Sequence, residues 1–345
     1  MKNKVSQIYP ATSLQQGFIY HSLHQPQDDA YRVQVLHDYH FALDIDKYLL
    51  AWRACIEEYP ILRTAFNWQK DMIQVIYSQG ILRYELHDIS DLKTQELKDQ
   101  RIIGIQQDDR MQAFDLTKPT LFRLHIIKQS EDYYTILKNE HHSISDGWSG
   151  SVLLNRLSQH YKAFVDNTPL PIKKDVAYLE TQIYIHKHKT KSLSYWKEKL
   201  QVVERANDIN ALLSNPIDLR EYRKITKPES LSLEISGTTY KDLQSFIQQE
   251  AITINTIVQF IWHKLLQVYS SSNQTIVGTT VSGRDLPIEG IESSVGLYIN
   301  TLPIIVDWST KGTILSQLHN IQKSLTDLNT HSFVDLAKIQ QGANR

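Results

Sequence analysis

The 345-residue chain holds one cysteine, Cys55, and only 12 glycines. A single cysteine excludes an internal disulfide framework and a zinc ribbon. So few glycines argue against glycine-rich phosphate loops and repeat arrays. An excess of one charge is missing too: 37 Lys+Arg against 38 Asp+Glu leave a formal net charge of -1. That balance carries no electrostatic footprint for nucleic acid or an anionic membrane, so neither is an expected partner. Long apolar runs are also absent. The most membrane-like stretch, Ile252 to Tyr269, is interrupted by Asn255, Gln259, His263, Lys264 and Gln267, and reads as an amphipathic helix. Met1 to Gln7 has no apolar centre of the kind a signal peptide needs. With the lone cysteine, this predicts a cytoplasmic protein. Cys55 itself lies among Leu49, Leu50, Trp52 and Ile56, which predicts a buried, inert thiol.

What is present is a hydrophobic content of 41%, enough for a sizeable core that at this length tends to split in two. Alternation predicts strands over Val33–Phe41, Leu62–Trp68, Met72–Tyr77, Leu121–Ile127, Tyr133–Lys138, Ser230–Ile235, Thr275–Val281 and Gly296–Val306. Helical periodicity predicts helices over Asp44–Tyr59, Thr94–Ala113, Trp148–Val165, Asp175–His186, Leu193–Leu200, Thr238–Glu250, Asn255–Tyr269 and Thr313–Leu328. Asn207 to Pro228 reads as a polar surface excursion. Asn167-Thr168-Pro169-Leu170-Pro171 is the clearest break, and the lobe boundary is placed there, giving lobes 1–168 and 169–345. Strands alternate with helices in both halves, so the expected fold class is α/β, with two sandwich lobes.

The chemistry points to His141-His142-Ser143-Ile144-Ser145-Asp146-Gly147, between a predicted strand and a predicted helix. Adjacent side chains on an extended segment face opposite ways, so one imidazole can meet a cleft while the other packs inward. An outward imidazole, with a free pKa of about 6.5, can act as a base near neutral pH. Asp146 would open the turn, Gly147 would allow a tight backbone, and the amides at the helix start would favour an oxyanion. The bland reading is a structural histidine pair among 14 histidines. A metal pair at His142 and Asp146 is a further rival, but no HExxH and no third ligand at a characteristic spacing accompany it, so no metal is expected. No Gly-x-Ser-x-Gly elbow marks a serine hydrolase.

The run matches the HHxxxDG motif and so resembles the condensation domains of nonribosomal peptide synthetases, a motif shared with chloramphenicol acetyltransferase. Further blocks are similar to that family in the same order: Tyr9–Gly17, Tyr59–Phe66 (with its Leu62-Arg63-Thr64-Ala65-Phe66), Tyr195-Trp196, Ser282-Gly283-Arg284, Val295–Pro303 and His331–Gln340. The resemblance spans nearly the whole chain. It implies two chloramphenicol-acetyltransferase-like lobes in a V with a central tunnel, the motif-bearing lobe first. It implies that upstream donor and downstream acceptor carrier domains each present a substrate on a 4′-phosphopantetheine thioester, with an adenylation domain in the same assembly line. No cofactor would be bound by the domain itself. His142, facing outward, would deprotonate or orient the acceptor amine. His141, Asp146 and Gly147 would be structural, Asp146 pairing with Arg284 in a bidentate fork. Trp148 and Asn300 would line the tunnel, and Arg63 would serve packing and a salt bridge. Family members continue beyond the equivalent of Arg345, which implies a fragment or a short member. Heterocyclisation does not fit two histidines, nor epimerisation Trp148-Ser149-Gly150; Gln15–Leu23 leans toward the subgroup with D-configured donors. The alternatives are a free-standing acyltransferase using a soluble amine or alcohol, and an inactive recruitment module of the same fold, against which the retained His142 counts.

Overall fold

The computed structural model describes residues 4–201, 203, 207–217 and 230–334. The described residues form β1 (Val5–Pro10), α1 (Ser13–His24), β2 (Arg32–Tyr39), α2 (Ile45–Glu58), β3 (Thr64–Asn67), β4 (Ile73–Tyr77) and β5 (Tyr84–Asp88). Then come α3 (Gln95–Arg110), β6 (Phe122–Ser130), β7 (Tyr133–His141), α4 (Gly147–Val165), α5 (Val176–Leu200), α6 (Gly237–Gln249), α7 (Ile254–Ser270), β8 (Gln274–Val281), β9 (Asn300–Asp307) and α8 (Ile314–Thr330). Packing divides the chain into one unit of 1–189 with 282–300 and a second of 190–281 with 301–345. The Asn167–Pro171 break joins α4 to α5 within the first unit.

In the first unit, β2-β7-β6-β5 make a four-stranded sheet, antiparallel except where β5 runs parallel to β6. The pleat sorts its side chains. Phe122, Leu124, Ile126 and Ile136 turn to one face and pack with Trp52 of α2 and Leu153 and Leu157 of α4. Ile127 and Leu137 turn to the other, against Ile102 and Ile105 of α3. A sheet with helices on both faces results. β1-β4-β3 form a second, antiparallel sheet. In the second unit β8 pairs with β9, and Leu302, Ile304 and Val306 pack with Ile321, Leu325 and Leu328 of α8.

Four sequence expectations change. Asp175–His186 and Leu193–Leu200 belong to one 25-residue helix, because nothing in Lys187–Ser192 breaks a helix. Ser230–Ile235 is no strand: it has the alternation but no ladder, with Leu231 and Leu233 exposed. The strand expected from Gly296 starts at Asn300, since the amides before it are spent elsewhere, as described below. β1, α1 and β5 stand outside the expected elements. Thr12 and Gln15 form a capping box at the start of α1, a signal legible in Thr12-Ser13-Leu14-Gln15. The part of the His331–Gln340 block from 335 onward, and 218–228 of the polar excursion, lie outside the described residues.

Candidate active site

β7 delivers the histidine run. Its odd-numbered side chains face α3, and His141, last in the strand, is buried on that side. Ser143 N–H lies 3.3 Å from His141 Nδ1, which accepts it, so the ring proton sits on Nε2, 3.1 Å from Ser22 Oγ. Burial, and then the positive fields of His142 and Arg32, push the His141 pKa down to about 4. A neutral imidazole fixed at both nitrogens is a strut, not a base.

His142 turns the other way. Its backbone N–H continues the strand by donating to Tyr31 O at 2.9 Å, while its half-buried ring packs 5.2 Å from the Phe18 ring. The ring Nδ1 lies 2.8 Å from Ser145 O. A carbonyl only accepts, so Nδ1 carries the proton and Nε2 keeps the lone pair. The short turn His142–Ile144 thus bends the loop back and sets the tautomer of its own first residue. Buried Gln15 of α1 donates to Ser143 O at 3.0 Å and anchors the same loop.

Asp146 ends the loop as the N-cap of α4, its Oδ1 accepting Ser149 N–H at 2.8 Å. Its Oδ2 accepts Tyr298 N–H at 3.0 Å, and Ser149 Oγ both accepts from Gly296 N–H at 3.0 Å and donates to Gly296 O at 2.7 Å. Asp175 treats α5 the same way: Oδ1 accepts Tyr178 N–H at 3.2 Å and Oδ2 accepts Val295 N–H at 3.1 Å. Residues 294–298 are therefore strung between two helix-capping aspartates, which is why β9 starts late.

Arg284 meets Asp146, but not as the bidentate fork the sequence suggested. Nη2 is 3.4 Å from Asp146 Oδ1 and 2.9 Å from Ser149 Oγ; Nη1 donates to Ile291 O at 2.6 Å and Ser294 O at 3.0 Å. Asp146 Oδ2 is already taken by Tyr298. The guanidinium also lies 4.0 Å from the Tyr298 ring centroid.

Gly147 is not needed for a tight backbone: its φ is ordinary, and a Cβ there would meet open space. The oxyanion role expected of the α4 start also fails, because the Asp146 carboxylate occupies that cap and would repel a second negative charge. Trp148 is half exposed, its indole N–H donating to Glu292 O at 2.9 Å. Asn300 is buried at the head of β9. Arg63 makes no salt bridge among the described residues. It donates to Ile56 O at 2.7 Å and Tyr77 O at 2.9 Å, closing the end of α2. Sequence reasoning missed Ser149, Tyr298 and Gln15 as supports of the loop. Gln15 alone left a trace, as the Gln of the capping box. Glu85, His87 and His125, which also converge, left none, because their meeting depends on β5–β6 register.

The Condensation domain family model matches residues 5–345. The chain is 34% identical over 342 residues to N-(5-amino-5-carboxypentanoyl)-L-cysteinyl-D-valine synthase of Penicillium rubens, covering 97% of this chain and 9% of that protein. It is 27% identical over 347 residues to tyrocidine synthase 2 of Brevibacillus parabrevis, covering 98% of this chain and 9% of that one. The chain thus spans under a tenth of the length of these curated relatives. Among solved structures, a four-domain nonribosomal peptide synthetase bound to AMP and glycine aligns over 100% of this chain and 26% of its own, with TM-score 0.74 and 22% identity. The first condensation domain of the calcium-dependent antibiotic synthetase aligns over 99% of this chain and 79% of its own, with TM-score 0.70 and 16% identity. The mixed α/β fold is that of these structures.

Proposed function

The chain belongs to the condensation-domain family, a family of peptide-bond-forming acyltransferases, and on that premise we propose that it joins a donor acyl or peptidyl thioester to the amine of an acceptor aminoacyl group. Both substrates arrive on 4′-phosphopantetheine arms of carrier domains, within a cytoplasmic assembly line that also holds an adenylation domain. The observation that carries the reading is the 2.8 Å contact from His142 Nδ1 to Ser145 O. It commits the ring proton to Nδ1 and leaves the Nε2 lone pair free, which supports reading Nε2 as the base. The acceptor nitrogen attacks the thioester carbonyl carbon, and His142 Nε2 takes the proton that nitrogen sheds. As the C–S bond breaks, the same proton passes to the departing sulfur, giving an amide and a free thiol. Trp148 and Asn300 as residues of the substrate path belong to the same proposal.

The test supplies both carrier-bound substrates to wild type and to His142→Ala, with folding checked by circular dichroism. Amide formation should fall about 10²-fold or more, the scale of a positioned acid–base group. Near-normal turnover in a folded His142→Ala protein overturns the assignment. Replacing the carriers with free small thioesters should abolish efficient turnover; equal rates would mean a free-standing acyltransferase.

A further inference from the structure

A second cluster of chemically capable side chains lies outside the histidine loop, on the α3 face of the same sheet. β5 is the edge strand and runs parallel to β6, with Glu85 opposite His125. His87, two residues on from Glu85, shares its face. Register alone therefore gathers a carboxylate and two imidazoles. His87 Nε2 is 3.0 Å from His125 Nδ1, and Glu85 Oε2 is 3.7 Å from the first and 3.6 Å from the second. We propose that Glu85, His87 and His125 form a binding site for a divalent transition-metal ion of the zinc class.

Three observations carry the proposal. First, a tetrahedral ion with ligand bonds of about 2.0–2.1 Å holds its ligand atoms about 3.3 Å apart. The 3.0, 3.6 and 3.7 Å edges bracket that value, so small side-chain rotations close the triangle on an ion. Second, the buried carboxylate of Asp109 lies 3.1 Å from His125 Nε2. A carboxylate accepts, so the His125 ring proton is on Nε2 and its Nδ1 lone pair points into the triangle. That carboxylate is the outer partner that metal-bound histidines recurrently have. Asp109 is itself held by Arg123, Asn139 and Gln34, so the ring is aimed before any ion arrives. Third, the site is reachable: Glu85 is exposed and His87 is half-buried, leaving the outer side open to water as a fourth ligand. The ligand types, two imidazoles and a carboxylate, suit zinc.

Without an ion, the 3.0 Å contact is an N–H···N bond from His87 to His125. Binding moves the His87 proton from Nε2 to Nδ1, so no proton is released. The positive field of Arg101 reaches His87 and opposes the ion, while the Glu85 and Asp109 charges favour it. An occupied site would pin the edge strand to β6.

The test uses the untagged 345-residue chain, stripped with chelator and titrated with Zn(II) by calorimetry and with Co(II) by visible absorption. One equivalent should bind, with the intense bands of tetrahedral Co(II), and Zn(II) should raise the thermal midpoint. His87→Ala removes a direct ligand and should weaken binding about 100-fold or more, at or beyond the upper end of what losing an outer partner costs, and Glu85→Gln should weaken it measurably; both sit near the surface, so folding should survive. His142→Ala should bind Zn(II) as wild type does, separating this site from the amide-forming one. Absence of stoichiometric binding overturns the proposal. So does binding unchanged by His87→Ala and Glu85→Gln, which would place the ion on other histidines.

Discussion

Arg284 reaches Asp146 through Ser149 at least as much as directly: its Nη2 is 2.9 Å from Ser149 Oγ and 3.4 Å from Asp146 Oδ1. The ion pair is buried but long, and the carboxylate draws its shorter bonds from the Ser149 and Tyr298 amides. Losing one charge should still cost roughly 3–5 kcal/mol, because the other is left buried. Direct coupling between Asp146→Asn and Arg284→Met in a double-mutant cycle should nevertheless be only about 1 kcal/mol, near the low end for contacting residues. Chemical denaturation of the four proteins reads it. A coupling of about 3 kcal/mol or more, the top of the range for contacting residues, would restore the bidentate fork.

Gly283 sets where that guanidinium stands. Its φ is +67°, and a Cβ would sit 2.0 Å from the backbone oxygen of Tyr298, the residue whose amide holds Asp146. Backbone cannot step aside as a flexible side chain can. Gly283→Ala should therefore destabilise the protein by several kcal/mol, about 3 or more, and disorder the His142 loop through Tyr298. A thermal midpoint close to that of wild type would show that the loop has slack there.

Gln15 binds the histidine loop from α1. Its Nε2 donates to Ser143 O, its Oε1 accepts Thr12 N–H at 2.8 Å, and it is fully buried. Gln15→Leu keeps the size but strands both partners, at about 1–3 kcal/mol each. Stability and amide formation should fall together. Activity held at the wild-type rate in a destabilised variant would mean that His142 keeps its aim without Gln15.

Acid should weaken this fold through two buried histidines. Burial pushes His141 and His263 each down to about 4, from an unfolded value of about 6.5. Between those values the unfolded chain takes up protons that the folded chain refuses. Their contribution is thus complete above about pH 6.5 and is lost as pH falls toward 4, up to roughly 3 kcal/mol for each site. Urea midpoints from about pH 7 down to about pH 4.5, the window those values bracket, should drop less steeply for His141→Gln than for wild type. Parallel curves would mean that His141 contributes nothing to the acid response.

Sequence by itself determined the family, the histidine run and most elements. Those signals are local or periodic: His141-His142 at a strand end, the caps at Asp44 and Thr94, and the pleat that sorts Leu124 and Ile126 from Ile127. It could not see that Lys187–Ser192 stays helical, nor that Leu231 and Leu233 alternate without a partner strand, since a ladder needs a second chain segment. Only tertiary structure decided which protons sit where. The Nδ1–H of His142 is fixed by a carbonyl three residues on, and the neutrality of His141 by burial and Ser22. Tertiary structure also decided that Tyr298, 152 residues along the chain, takes the Asp146 oxygen meant for Arg284. Glu85, His87 and His125 meet for the same reason. Hydrogen bonds and ligand geometry act between atoms a few ångströms apart in space, and spacing along the chain carries no record of that distance.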